Sequence, residues 1–227
     1  MNRTLAFTQL DFITVKPYFT IKNMAIYIVL VLVITMFSGS VASAIAVGMM
    51  LSTMFLSYPF TLSEKSNMDA LYVTLSVSRK TVVLGRYLFV LGLNLCAIVF
   101  ALLLSLLSLP FAKYLPTQAA MDMMLWAVLA MAMIFLILQA FQLPVYFRFG
   151  YAKARFFSLV PVIALLAAYF AFMTLLRDAV IVDALSGFLT GLQGTEVLVI
   201  AAAVVVLVLV VFLSIRLSQA FYAKREF

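Results

Sequence analysis

From Asn23 to Ser63 the chain runs 41 residues without one Asp, Glu, Lys, Arg or His. A helix needs about 20 apolar residues to cross the hydrocarbon core of a bilayer, so this stretch holds two spans, turned at Ser38-Gly39-Ser40. Ala42-Ser43-Ala44 mimics a signal-peptide cleavage site, but the apolar character continues to Phe60, and a cleaved signal peptide is not the reading. The rest of the chain is of the same kind: 67% of residues are apolar and 10% charged, where a soluble domain carries about a quarter. The apolar runs are continuous, without the alternation of a membrane β-barrel. The expected fold class is an all-α polytopic membrane protein forming one transmembrane domain over residues 1–227.

Six spans are expected. The first two share residues 23–60, the third covers 87–112, the fourth 123–147, the fifth 156–176 and the sixth 197–215. Residues 1–22 carry Arg3, Asp11, Lys16 and Lys22 in an imperfectly amphipathic run broken by Pro17, which predicts a cytoplasmic interfacial helix. Residues 61–86 form the longest polar interruption, a cytoplasmic elbow with six charges. In residues 177–196, Ile181, Leu185, Phe188 and Leu192 recur at helical spacing among Gly187, Gly191 and Gly194. That pattern predicts an external helical or re-entrant insertion between the fifth and sixth spans.

Six spans put both termini on one side. Thirteen of the 15 lysines and arginines then fall on that side, and only Lys113 and Arg177 on the other. The positive-inside rule makes the thirteen-residue side cytoplasmic, and the location a multi-pass cell (plasma) membrane protein. The net charge of +7 is accounted for by these helix flanks, so no nucleic-acid partner is called for.

Catalytic chemistry finds little to work with. There is no histidine, and Cys96 is the single cysteine, which excludes an intramolecular disulfide. No ionisable residue lies deep in a span, as coupled transporters usually require. Ser43, Ser52, Ser105 and Ser108 have no base to serve them, and no Walker A sequence is present. The chain is therefore expected to be no enzyme, with no catalytic, metal or cofactor site of its own. Any work it does must be driven by a separate subunit docking on the cytoplasmic side, where the elbow is the largest feature.

Within the elbow, Ser66 and Asp69 are spaced as a capping box. Met68, Leu71, Tyr72 and Leu75 then share one face of a short helix, a stripe suited to a partner's groove or to lipid headgroups. Ser78 is a second N-cap candidate, from which a helix carrying Arg79, Lys80 and Arg86 leads directly into the third span. Inside the spans, Asn94, Gln139 and Gln142 are the polar side chains that either bond between helices or line a substrate path.

An acidic residue, Glu64, after the second span, then a short helix, then LSVSRKTVVLGRYL resembles the type-two permeases of ATP-binding cassette (ABC) exporters. The closest branch is the small six-helix one similar to bacteriocin and phenol-soluble-modulin peptide exporters. Leu75, Ser78, Arg79, Gly85, Arg86 and Tyr87 match its pattern, Ser76 departs from a common proline, and QLDFITVK resembles the opening cytoplasmic helix. The resemblance implies two permeases, identical or related, with two cytoplasmic ABC ATPase subunits that bind ATP and Mg. It makes the elbow's short helix a coupling helix, with Glu64, Met68, Asp69, Leu71, Tyr72, Leu75, Ser78, Arg79 and Lys80 at the ATPase contact. Its substrates would be amphipathic or hydrophobic peptides or lipid-like compounds leaving a bacterial cell. Two further readings stand beside it: the substrate-binding subunit of an energy-coupling-factor vitamin importer, and a non-transporting membrane scaffold.

Overall fold

The computed structural model describes residues 3–38, 41–66, 68–74, 77–108, 118–157, 160, 163–164, 167 and 196–224. Among these the chain is helical apart from short joints such as 19–20 and 77–78, with no strand. The helices are α1 (Arg3–Val15), α2 (Ile21–Ser38), α3 (Val41–Leu56), α4 (Tyr58–Lys65), α5 (Met68–Thr74), α6 (Arg79–Ser108), α7 (Gln118–Phe157) and α8 (Glu196–Ala223).

Four stretches are long and apolar enough to cross a bilayer: Ile45–Lys65, Arg79–Leu107, Val128–Ala154 and Ile200–Ala223. α1 and α2 make a fifth if the pair is one bent span, with 74° between them. Proline causes that bend. Pro17 supplies no backbone N–H, so α1 closes in a 3₁₀ turn over Lys16–Tyr18, with Phe19 N–H donating to Lys16 O at 3.1 Å. The expected fifth span, 156–176, lies almost wholly outside the described residues, and so do the insertion 177–196, except Glu196, and the loop residues 109–117.

The second span is longer than its apolar run. α3 and α4 meet at Ser57 with only a turn between them, and Thr61 N–H donates to Ser57 O at 3.0 Å. Pro59 sits in the first turn of α4, where a missing N–H costs nothing. Helix therefore continues five residues past Phe60, and residues 61–65 of the elbow belong to the end of the second span.

α6 is the member against which the others pack. Gly48 of α3 lies so close to it that a Cβ would stand 2.9 Å from the Cα of Ala101, the small-residue contact by which membrane helices bring their backbones together. α1 runs alongside the first half of α6. Phe7 covers Gly85 and Phe12 covers Gly92, and the Phe12 ring meets Phe89 edge-on at 4.9 Å. Phe7 and Val15 are buried in this contact while Leu5 and Ile13 stay exposed, so the helix has an inner and an outer face. The largest buried cluster lies at this elbow end, among Phe7, Phe60, Tyr72, Val83, Tyr146 and Tyr222.

α7 tolerates Pro144 but breaks at Gly150, whose φ of 73° and ψ of 175° are not helical. That φ is one that residues with a Cβ rarely adopt. The helix stops before Gly150 and restarts at Tyr151.

Candidate functional site

The elbow is framed differently from its sequence pattern. The Ser66 N–H donates to Leu62 O at 2.9 Å, and Ser66 closes α4 with φ −104° and ψ 10°. In a capping box that N–H would go to the carboxylate at the third helical position, and the cap residue would be extended. The Ser66–Asp69 capping box is therefore not formed: continued growth of α4 claims the Ser66 amide first. α5 starts at Met68, which puts Asp69 in its first turn.

The apolar stripe of α5 divides between two roles. Tyr72 is 7% exposed, and its ring meets Phe7 of α1 edge-on at 5.1 Å. Met68 packs against the same cluster. Leu71 is 48% exposed and points outward. The side chains of Asp69 and Leu75 lie outside the described residues. Tyr72 and Met68 thus hold α5 to the body of the protein, and among the described side chains Leu71 is its outward apolar group.

Ser78 caps α6 as its spacing predicts: the Thr81 N–H donates to Ser78 Oγ at 3.1 Å, and the two hydroxyls are 2.6 Å apart. From that cap α6 continues for 30 residues without interruption. Arg79 turns to α8, donating to Tyr222 O at 3.2 Å and to Ala223 O. A guanidinium on the last carbonyls of a helix satisfies unpaired acceptors and complements the helix dipole. Lys80 is exposed.

Glu64 reaches across to α7. One carboxylate oxygen accepts from the Tyr151 and Ala152 N–H groups at 2.5 and 3.1 Å. It supplies an anion where the helix restarts after Gly150, a position that favours negative charge. No local spacing signals this bond, because its partners are more than 80 residues apart.

At the centre is a buried ion pair that sequence reasoning did not assemble. Asp11 and Arg86 are 2% and 3% exposed, with Nε to Oδ2 at 3.7 Å. Arg86 also donates to Ser63 Oγ and lies 4.1 Å over the Phe60 ring. Thr8, one turn before Asp11, donates to Gly85 O at 3.1 Å, beside Arg86 in the chain. In the sequence Asp11 belongs to the opening helix and Arg86 to the motif that leads into the third span, with nothing to pair them. Together they join α1, α4 and α6. A small cavity of about 10 Å³, between Ser63, Glu64, Arg86, Gly150 and Tyr222, marks where these helices meet α7 and α8.

The span polar groups form a second node. Asn94 Nδ2 donates to Val90 O at 2.9 Å and to Gln139 Oε1 at 2.5 Å. Gln139 Nε2 donates to Ser52 Oγ at 2.9 Å, which links α6, α7 and α3. Both amides are at most 2% exposed, and Gln142, one turn on, is 3% exposed. Of the three path candidates, Asn94 and Gln139 are brought together in an interhelical chain, one of the two roles their composition allowed. Two turns earlier on the same face of α6, Tyr87 Oη shares hydrogen bonds with Ser214 and Ser218 of α8.

Among the described residues no cluster of three or more potential metal ligands occurs. What the arrangement offers is mechanical. A short helix is pinned to α1 and precedes α6, while α6 is tied by charge, hydroxyl and amide to α1, α4, α7 and α8 and packs backbone to backbone on α3. No curated protein and no solved structure matches the chain. The model of one protein family, described as ABC-2 family transporter protein, matches residues 9–223. That match takes in the elbow, the buried pair and the helices they join, and the chain belongs to this family, whose members are the membrane permeases of ABC transporters.

Proposed function

We propose that the chain is the permease of an ATP-driven exporter that moves amphipathic or hydrophobic peptides, or lipid-like compounds, out of a bacterial cell. Two copies of a separate ATPase hold the ATP and Mg and seat on α5 from the cytoplasm, and a second permease, identical or related, completes the pore. One observation carries the reading: α6 begins at the elbow on the Ser78 cap and runs into the membrane as one rigid helix. A displacement of α5 passes into that helix through its joint at Val77-Ser78, and into α1 through the Tyr72–Phe7 contact. Leu71 and Lys80 are the outward groups at the contact. Met68 and Tyr72 set the pose of α5, Glu64 fixes the neighbouring turn of α7, and Arg79 anchors α8. Asp69 and Leu75 complete the proposed surface by their place on α5 and just beyond it. Membership of a permease family that normally works with an ATPase subunit favours this over the vitamin-importer and scaffold readings.

The test is Leu71→Asp in cells carrying the partner ATPase. Because Leu71 is exposed, the variant should fold and insert with stability changed by no more than about 0.5 kcal/mol. Co-purification of the ATPase and efflux of an amphipathic peptide should both fall. Wild-type efflux with full ATPase capture would remove α5 from the coupling surface.

A further inference from the structure

Between α2, α3 and α6 the structure holds a cleft of about 190 Å³. Phe19 and Met24 form its wall from the α1–α2 bend, Phe55 its wall from α3, and Leu93, Cys96 and Phe100 its wall from α6. The cleft lies beside the bend, where α2 departs from α1 at 74°. Phe19 and Phe55 stack across one edge at 4.4 Å between ring centroids. Tyr27 Oη donates to Met54 Sδ at 2.8 Å and ties α2 to α3 beside it.

Three observations fix the chemistry of what fits. Cys96 lies ten residues beyond Arg86 on α6, roughly 15 Å further along the axis, with no charged side chain between that point and the helix end. The cleft is therefore at hydrocarbon depth. Its one hydroxyl, Ser52, donates to Met49 O at 2.9 Å and accepts from Gln139 at 2.9 Å, so its proton is committed within the protein. The remaining walls are aromatic, aliphatic or sulfur-bearing, and offer a polar headgroup nothing. The volume exceeds the roughly 150 Å³ at which an apolar cavity in a protein binds a benzene-sized molecule.

We infer that this cleft is a binding site for a single alkyl chain, the tail of a long-chain amphiphile entering sideways from the bilayer. The inference deepens the export reading by giving the apolar part of the cargo a place to sit. Neighbouring α6 residues Leu95 and Val99 are exposed, at 66% and 58%, so the mouth adjoins an uncovered apolar face of this chain. The methionine and aromatic walls can repack around chains of different branching. The site would therefore select for apolar length and not for headgroup.

Cys96, the only cysteine in the chain and an exposed one, is a native reporter in the wall. The full chain in a fluorinated surfactant, which supplies no competing alkyl chain, is treated with a diazirine-bearing palmitate, and with N-ethylmaleimide in the presence or absence of unlabelled palmitate. Crosslinks are expected to saturate and to concentrate in residues 19–24, 52–55 and 93–100, and Cys96 alkylation should slow as palmitate is added. Cys96→Phe should lower the apparent affinity of the crosslink roughly tenfold, the factor for about two lost buried methylenes. Crosslinks spread evenly over α8 residues 204–213, unsaturable and unchanged by Cys96→Phe, would overturn the site. So would wild-type alkylation indifferent to palmitate, a readout that needs no variant to fold. Neither readout involves an ATPase, so failure here leaves the coupling reading standing, and loss of coupling leaves this site standing.

Discussion

Replacing Arg86 by methionine removes a guanidinium of similar length while leaving Asp11 where it is. At 3.7 Å and an effective dielectric near 20, the lost attraction is about 4 kcal/mol. The contact with Phe60 adds roughly 0.5–2 kcal/mol. The desolvation of Arg86 itself is recovered, but Asp11, 2% exposed, loses its counter-charge. Breaking a buried pair from one side typically costs about 3–5 kcal/mol. For a chain of this length, at about 2–4 °C per kcal/mol, that is a fall in melting temperature of roughly 6–20 °C. Thermal unfolding of the purified chain in one detergent, followed by near-ultraviolet circular dichroism, measures it. Asp11→Leu combined with Arg86→Met should regain most of the loss, because two apolar side chains need no pairing. A single-variant loss below about 1 kcal/mol, the range of exposed ion pairs, with additive behaviour in the double variant, would mean that water reaches the pair. The node would then be no buried tie.

Glu64→Gln keeps the shape of the side chain but weakens two charge-assisted bonds, so hydrogen exchange at residues 151–157 should accelerate while α6 amides stay unchanged; equal exchange in both proteins would show the cap to be idle. Gly48→Val would set a branched side chain against Ala101, where even a Cβ stands 2.9 Å from the Cα, and the expected cost is about 1–3 kcal/mol with α3 displaced from α6; an unchanged melting temperature would refute the close approach. Asn94→Leu removes one interhelical hydrogen bond, and membrane helices lose only about 0.6–1.7 kcal/mol by such changes, so the protein should fold and its melting temperature fall by a few degrees. Collapse of expression for Asn94→Leu would assign the amide chain a larger part than its bonds account for.

What was legible in the sequence was what depends on near neighbours. Apolar run length announced the helices, and Ser78, three residues before Thr81, announced the start of α6. Ser66 misled because the same serine spacing serves two helices, and the pattern does not say which helix claims the amide. The sequence puts Tyr72 and Leu71 on one face, and a short stripe carries no sign of its partner; Phe7, 65 positions earlier, decides which ring is covered. Asp11 and Arg86 were invisible as a pair for the same reason, with 75 positions between them. Local periodicity reports which face is apolar, and only packing reports what meets it.

The Arg79 contact has a practical side. By holding the last carbonyls of α8, it brings the tail of the chain to the first turn of α6, and Asp11 brings the head of the chain to the second. Both contacts therefore fall on the first two turns of α6. A reporter fused before Arg3 or after Ala223 would therefore sit against the start of α6, whereas the exposed Lys153 on α7 takes part in neither contact.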